Sequence, residues 1–158
     1  MASGQLNPAY ADAVINAFKE VPYFQLLGMR MKALSKGQCQ MIIPAEHKHL
    51  NPHAGVHGGV VASIIDASCY WAAYSGMKTE NAIVTIDLKI SYLSPGRAGE
   101  TLLASGQAVK SGRTMGVAEA KVIAAESGRL VGYGSATVLA TEAPMAGSLA
   151  GLPPKFKE

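Results

Sequence analysis

Between Val60 and Tyr74 the chain is apolar or small at almost every position, and the exception is Asp66. A helix that is apolar all the way round belongs in the centre of a fold rather than on its surface. This one is expected over residues 57–76, entered through His57-Gly58-Gly59. Upstream, Asn7-Pro8 is a helix start, with a capping side chain followed by proline at the first helical position. Tyr10, Val14, Ala17 and Phe18 then share one face, which predicts a helix over residues 7–20. Val21-Pro22 closes that helix or restarts the chain in a short turn.

The remaining pattern has a period of two. Met29, Met31 and Ala33 alternate with Arg30 and Lys32, and Ser35-Lys36-Gly37 supplies a hairpin-like turn. Cys39, Met41 and Ile43 alternate with Gln38 and Gln40 in a second strand, ended by Pro44. Residues 45–56 form a loop. After Gly76 the chain is all strand. Val84, Ile86, Leu88, Ile90 and Tyr92 alternate with Thr85, Asp87, Lys89 and Ser91. The turn Ser94–Glu100 leads into strands over 101–110, 114–124 and 130–139, separated at Ser111-Gly112-Arg113 and Ser127-Gly128. Residues 1–140 read as one domain, and 141–158 as a loose tail.

In the last three strands alternate positions are small: Ala104/Gly106/Ala108, Gly116/Ala118/Ala120 and Gly132/Gly134/Ala136. Alternate positions share a face. A face of glycine and alanine lets a bulky element approach closely, and the element on offer is the central helix with Tyr70, Trp71 and Tyr74. The expected architecture is α+β, an antiparallel sheet wrapped around one long buried helix. An uncurled α+β sandwich satisfies the same periodicity.

Composition narrows the function. The 158 residues are 49% hydrophobic and 16% charged, which is globular. A net charge of +3 is too small for a dedicated nucleic-acid binder but suits a small anionic ligand. Cys39 and Cys69 lack metal-site spacing, and a reducing cytoplasm is the simple reading. The N-terminus lacks the features of a signal peptide, and the Val60–Tyr74 run is too short and interrupted to span a membrane.

Asp66 is then the central question, because an unpaired buried carboxylate costs several kcal/mol or neutralises. It is satisfied by a partner such as Ser63 or Ser68, exposed in a cleft, or part of a reaction. Ser63 and Ser68 lack a nucleophile-elbow context. Nothing beside Cys69 lowers its pKa, so it reads as packing. His47, His49, His53 and His57 invite a metal hypothesis. The stretch has no cysteine and only Glu46 as a nearby carboxylate, and proline and glycine break the spacing, so no metal site is expected.

The string His49–Ala73, "HLNPHAGVHGGVVASIIDASCYWAA", together with "VTIDLKISYLSPGRAGE", resembles the signature of hotdog-fold, phenylacetate-degradation-type (PaaI-like) acyl-CoA thioesterases. The resemblance covers about residues 25–140. It implies hydrolysis of an acyl- or aryl-CoA thioester to free acid and CoA, without a metal or redox cofactor. It assigns the carbonyl-polarising amide to Gly58, a second donor to Asn51, an orienting role to His57 and a water-holding hydroxyl to Thr85. Asp66 becomes nucleophile or general base. Gly59 lets substrate approach the backbone, and Arg97, Lys110, Arg113 and Thr114 are candidates for the CoA phosphates. Tyr70, Trp71 and Tyr74 become core and acyl-pocket lining rather than a platform for nucleic acid.

Geometry adds a condition. Asp66 follows Gly58 by eight residues, about 12 Å along a helix. Both cannot touch one thioester carbon, so two antiparallel helices from different subunits are required if both act. The family implies a homodimer, often a dimer of dimers. A hotdog hydratase or dehydratase and a non-catalytic acyl-CoA-binding or regulatory domain are the alternatives.

Overall fold

A computed structural model describes residues 4–157. Helix α1 (Pro8–Phe18) starts as the sequence predicts: Asn7 Oδ1 accepts the Ala9 N–H at 3.1 Å, and Pro8 occupies the first turn. The expected span of 7–20 is shorter in fact, because Lys19, Glu20 and Val21 close the end with i−3 hydrogen bonds. Pro22 restarts the chain as α2 (Pro22–Leu27), which Gly28 ends at φ 62°. Phe18 and Phe24 stack across this break, with ring centroids 4.2 Å apart.

Six strands follow: β1 (Arg30–Ser35), β2 (Gln38–Pro44), β3 (Asn81–Tyr92), β4 (Thr101–Ser111), β5 (Met115–Ala124) and β6 (Leu130–Pro144). They form one antiparallel sheet in the order β1-β2-β4-β5-β6-β3. Helix α3 (Gly58–Gly76), capped by His57, packs across its inner face and is buried along most of its length. This is the hotdog architecture.

The small face of the sheet performs the expected task against different residues. A methyl group on Gly106 would lie 2.8 Å from the carbonyl carbon of Ser68, and one on Gly134 would lie 2.7 Å from Ile65 Cγ2. The helix therefore meets the sheet through Val61, Ile65, the Ser68 backbone, Ala73 and Met77. The aromatic residues named from the sequence point elsewhere: Trp71 and Tyr74 form an edge-on pair in the core, and Tyr70 turns toward a cavity. Aromatic rings are too thick for a contact in which backbones nearly touch.

Two further expectations need correction. The alternation in β3 is broken by a register shift between Thr85 and Asp87. Thr85, Leu88, Ile90 and Tyr92 pair with Val138, Ala136, Gly134 and Gly132, all buried, and so share the helix-facing side. Val84 and Ile86 fall on the outer face, 47% and 56% exposed. A bulge moves one residue without disturbing the sequence alternation, so the pattern alone concealed it.

Residues 141–158, expected to be loose, are held as far as they are described. Strand β6 continues to Pro144, and a 3₁₀ turn (Gly147–Leu149) follows. Ser148 Oγ donates to Ala17 O at 3.0 Å, and Phe156 bridges to Leu6. Lys155 is only 2% exposed. Its ammonium donates to the carbonyls of Tyr74, Met77 and Thr79 at 3.0, 3.1 and 2.6 Å and lies over the Tyr74 ring. These carbonyls stand at the C-terminal end of α3, where the helix dipole favours a cation. The tail is a strap because its one inward lysine caps the central helix.

Gly106→Ala is expected to lower the unfolding free energy by about 3 kcal/mol, measured by urea denaturation. A second expectation concerns pH. Burial pushes the Lys155 pKa down to about 7, so above that pH the unfolded chain binds the extra proton and stability rises with pH. Burial raises the thiol pKa of Cys39, and of Cys69 to about 12, so above about pH 9 the unfolded thiols ionise first and the slope reverses. Thermal midpoints should therefore climb from pH 7 to 9 and then fall, and Lys155→Met should flatten the climb.

Candidate active site

The loop before α3 is built to present one amide. Leu50 bridges to Val56, Gly55 bridges to Arg97, and the His57 N–H donates to His49 O at 2.8 Å. His49 is buried, with Nδ1 accepting the Glu46 N–H at 2.9 Å, so it serves the loop. Asn51 Oδ1 accepts the N–H groups of His53 (2.9 Å) and Gly55 (3.2 Å). That leaves the Asn51 amide nitrogen without a partner among the described residues. His57 Nδ1 accepts the Gly59 N–H at 2.8 Å. The Gly58 N–H has no acceptor among the described residues. Of the first two amides of α3, the cap takes the second and leaves the first free. A methyl group on Gly58 would come within 3.1 Å of the Tyr92 ring, a tight contact, so glycine keeps this approach more open than a side chain would. Asn51, Gly58, Tyr92 and Gly96 line a cavity of about 380 Å³ here.

Two turns farther along α3 the chemistry changes. Asp66 is half-buried, and its Oδ1 accepts the Thr85 hydroxyl at 2.8 Å. Thr85 thus faces its own chain's helix, although the sequence alternation sets it opposite Leu88, Ile90 and Tyr92; the β3 bulge is the reason. Asp66 opens into a second cavity of about 420 Å³, lined with Tyr23, Phe24, Tyr70, Trp71 and Leu149. Within one chain, Gly58 and Asp66 line different cavities.

The thiols and the Ser63 hydroxyl are unsuited as nucleophiles. Burial keeps both thiols protonated at neutral pH. The Ser63 hydroxyl donates to Gly59 O at 2.8 Å and pairs with the Tyr23 hydroxyl at 2.7 Å, with no base among these contacts. Among the described residues no three His, Cys, Asp or Glu side chains gather as a metal site. No helix there is long and apolar enough to cross a membrane.

The basic candidates separate. Arg97 lies in the Ser-Pro turn at the Gly58 end of α3, its N–H donating to Glu100 Oε2 at 2.9 Å. Arg113 lies at the opposite end, lining a cavity of about 930 Å³ with Lys36, Lys78, Lys157 and Phe156. Lys110 and Thr114 are exposed nearby but do not line it. Nineteen helical residues put the two clusters roughly 28 Å apart along α3, so one chain cannot bring them to one phosphate. A residue the sequence did not reveal is Arg129. It pairs with both Glu100 carboxylate oxygens (2.6 and 2.7 Å), and also donates to Ser94 Oγ and Pro95 O. This brace fixes the Ser-Pro turn beside Gly58, and the guanidinium holds the Glu100 carboxyl below the usual range. No local spacing marks a pair 29 residues apart.

With this geometry in hand, residues 53–131 match the model of the family described as "Thioesterase superfamily". The chain belongs to the thioesterase superfamily. It is 37% identical over 102 residues to a Halobacterium salinarum protein, covering 61% of this chain and 66% of that one. It is 30% identical over 98 residues to the acyl-coenzyme A thioesterase PaaI of Escherichia coli, covering 61% and 67%. The first two relatives are spanned over only 66% and 46% of their own length. The E. coli PaaI structure superimposes with a TM-score of 0.77 at 21% identity, covering 85% of this chain and 95% of that one. A thioesterase family protein from Silicibacter pomeroyi does so at 0.76 and 31%, covering 83% and 97%. As a PaaI-like thioesterase-superfamily chain, it carries Gly58, Asp66 and Thr85 inside the matched span, with Asn51 just before it.

His57→Ala should cost about 1 kcal/mol of stability through loss of the helix cap. Urea unfolding at neutral pH checks this.

Proposed function

We propose that this protein hydrolyses acyl- or aryl-CoA thioesters. One observation carries the reading: α3 offers a free amide at its tip and a hydroxyl-braced carboxylate two turns on, each opening into its own cavity. Two such helices, antiparallel across a two-fold axis, join Gly58 of one chain to Asp66 of the partner subunit and form two complete sites.

In that arrangement the thioester carbonyl oxygen accepts from the Gly58 N–H and the Asn51 amide nitrogen. The positive end of the helix dipole adds to these, and stabilises the oxyanion of the tetrahedral intermediate. Asp66 removes a proton from water as general base, or attacks the carbonyl to form an anhydride that water then opens. The Thr85 hydroxyl orients the carboxylate for either route. The C–S bond breaks, the thiolate takes up a proton, and the products are a carboxylic acid and CoA. Neither route requires a metal or redox cofactor.

His57 holds the tip through its bond to Gly59. The CoA phosphates fit the basic turns, with Arg97 at one end of the site and Arg113 at the other. Lys110 and Thr114 stay near the second. A dimer of dimers in the cytoplasm completes the reading.

Thiol release should be assayed over a panel of acyl-CoAs. Asp66→Asn should reduce kcat by about 10²–10⁴-fold, the usual worth of a positioned base. Mixing Asp66→Ala chains with Gly58→Pro chains should restore about a quarter of wild-type activity under random pairing, since half the dimers then hold one intact site of two. Binding of CoA esters without thiol release in the wild type would instead identify a binding module.

A further inference from the structure

The cavity beside Asp66 has a wall that the thioesterase core does not supply. Its α3 side is formed by Ser63, Asp66, Tyr70 and Trp71. The opposite side is formed by Val21, Tyr23 and Phe24, at and within α2, and by Leu149 of the C-terminal strap. These four residues all lie outside the span 53–131 that matches the family.

Each is held in place. The Tyr23 hydroxyl is tied to Ser63 Oγ at 2.7 Å, and Phe24 is stacked on Phe18. Leu149 follows Ser148, whose hydroxyl donates to Ala17 O at 3.0 Å. Beyond it, Lys155 anchors the strap to the end of α3 through three carbonyls. The wall is part of the packed body, although it is drawn from both termini.

The lining also sets the chemistry of the occupant. The Tyr23 hydroxyl donates to Ser63 Oγ, whose own proton goes to Gly59 O. Among the described residues, Asp66 is the only carboxylate lining the cavity, and no Lys, Arg or His lines it. Its volume of about 420 Å³ falls within the roughly 300–1,000 Å³ of small-molecule pockets. A second carboxylate entering here would meet the charge of Asp66 and find no cation to offset its desolvation.

We propose, on the basis of the thioesterase reading above, that α2 and the C-terminal strap form the specificity wall of the acyl pocket. Tyr23 and Leu149 limit the length and width of a neutral, apolar acyl or arylacyl group lying beside Asp66, and acyl groups ending in a carboxylate are rejected.

The test uses the full chain and two variants, Leu149→Ala and Leu149→Phe, with matching circular dichroism and thermal midpoints as the check of folding. Thiol release is read over straight-chain acyl-CoAs from acetyl to myristoyl, phenylacetyl-CoA and succinyl-CoA. In parallel, the fluorescence of Trp71, the chain's one tryptophan, is titrated with the corresponding free acids. Leu149→Ala should move the preferred length upward and Leu149→Phe downward. The long-to-short ratio of kcat/KM should change by about tenfold or more, as for a gained or lost methylene-sized space. The dissociation constants of the free acids should follow the same order, and succinyl-CoA should be a poor substrate throughout. Folded variants with unchanged length profiles, or good turnover of succinyl-CoA, would overturn the wall while leaving thioester hydrolysis standing. If the wild type cleaves no CoA ester, the thioesterase reading falls. The fluorescence titrations then decide the wall alone: a length shift in Leu149→Ala upholds it, and no shift removes it.

Discussion

The near-contact of helix α3 with the glycine and alanine face of the sheet is the constraint on which the rest depends. Where Gly106 meets the Ser68 backbone and Gly134 meets Ile65, there is no room for a further carbon atom. So close a contact fixes the rotation of the helix about its axis, and that rotation decides what each remaining face sees. Ser68 and Ile65 turn to the sheet, so Asp66, one residue past Ile65, turns to the flank beneath β3. There it meets Thr85 and the cavity. The position of the carboxylate is therefore a consequence of how its neighbours Ile65 and Ser68 pack on the sheet.

A second economy operates at the helix tip. The first amides of any helix lack intrahelical partners, and a cap normally hides one of them. Here the cap is His57, and it consumes the Gly59 N–H. The free donor left at the mouth is Gly58, kept accessible by the absence of a side chain and bordered by the Tyr92 ring. The loop behind it is over-determined by backbone bridges, by buried His49 and by the Arg129–Glu100 brace. The oxyanion role proposed for this amide requires a donor that does not reorganise, and most of the polar residues around the loop are engaged in fixing it.

Much of this was legible along the chain. The cap of α1, the central helix, the small face and the His-Gly-Gly…Asp spacing are all local patterns, and they point to the architecture without excluding an uncurled sandwich. Other features are not local. The β3 bulge leaves the alternation of Val84, Ile86 and Leu88 intact while turning Val84 and Ile86 to the opposite face from Leu88. The strap looked like a loose end because proline, glycine and alanine dominate it. Its burial rests on Lys155, whose partners are backbone carbonyls that no sequence displays. Leu149 and Tyr23 come from opposite termini, so no spacing could have joined them to Asp66.

The placement of these terminal segments has a thermodynamic consequence. The core residues that hold Gly58 and Asp66 are rigid because both helix and sheet have lost their freedom to move apart. The far wall of the Asp66 cavity is attached to that core through contacts of its own, among them the Tyr23–Ser63 pair, the Ser148 hydroxyl, the aromatic stack on Phe18 and the Lys155 cap. Changes in α2 or the strap therefore alter the pocket without passing through the helix–sheet contact. The chain separates the helix–sheet contact that positions Gly58 and Asp66 from the terminal segments that line the far side of the Asp66 cavity. Under the proposed function, one carboxylate chemistry is then kept while the accepted acyl group changes.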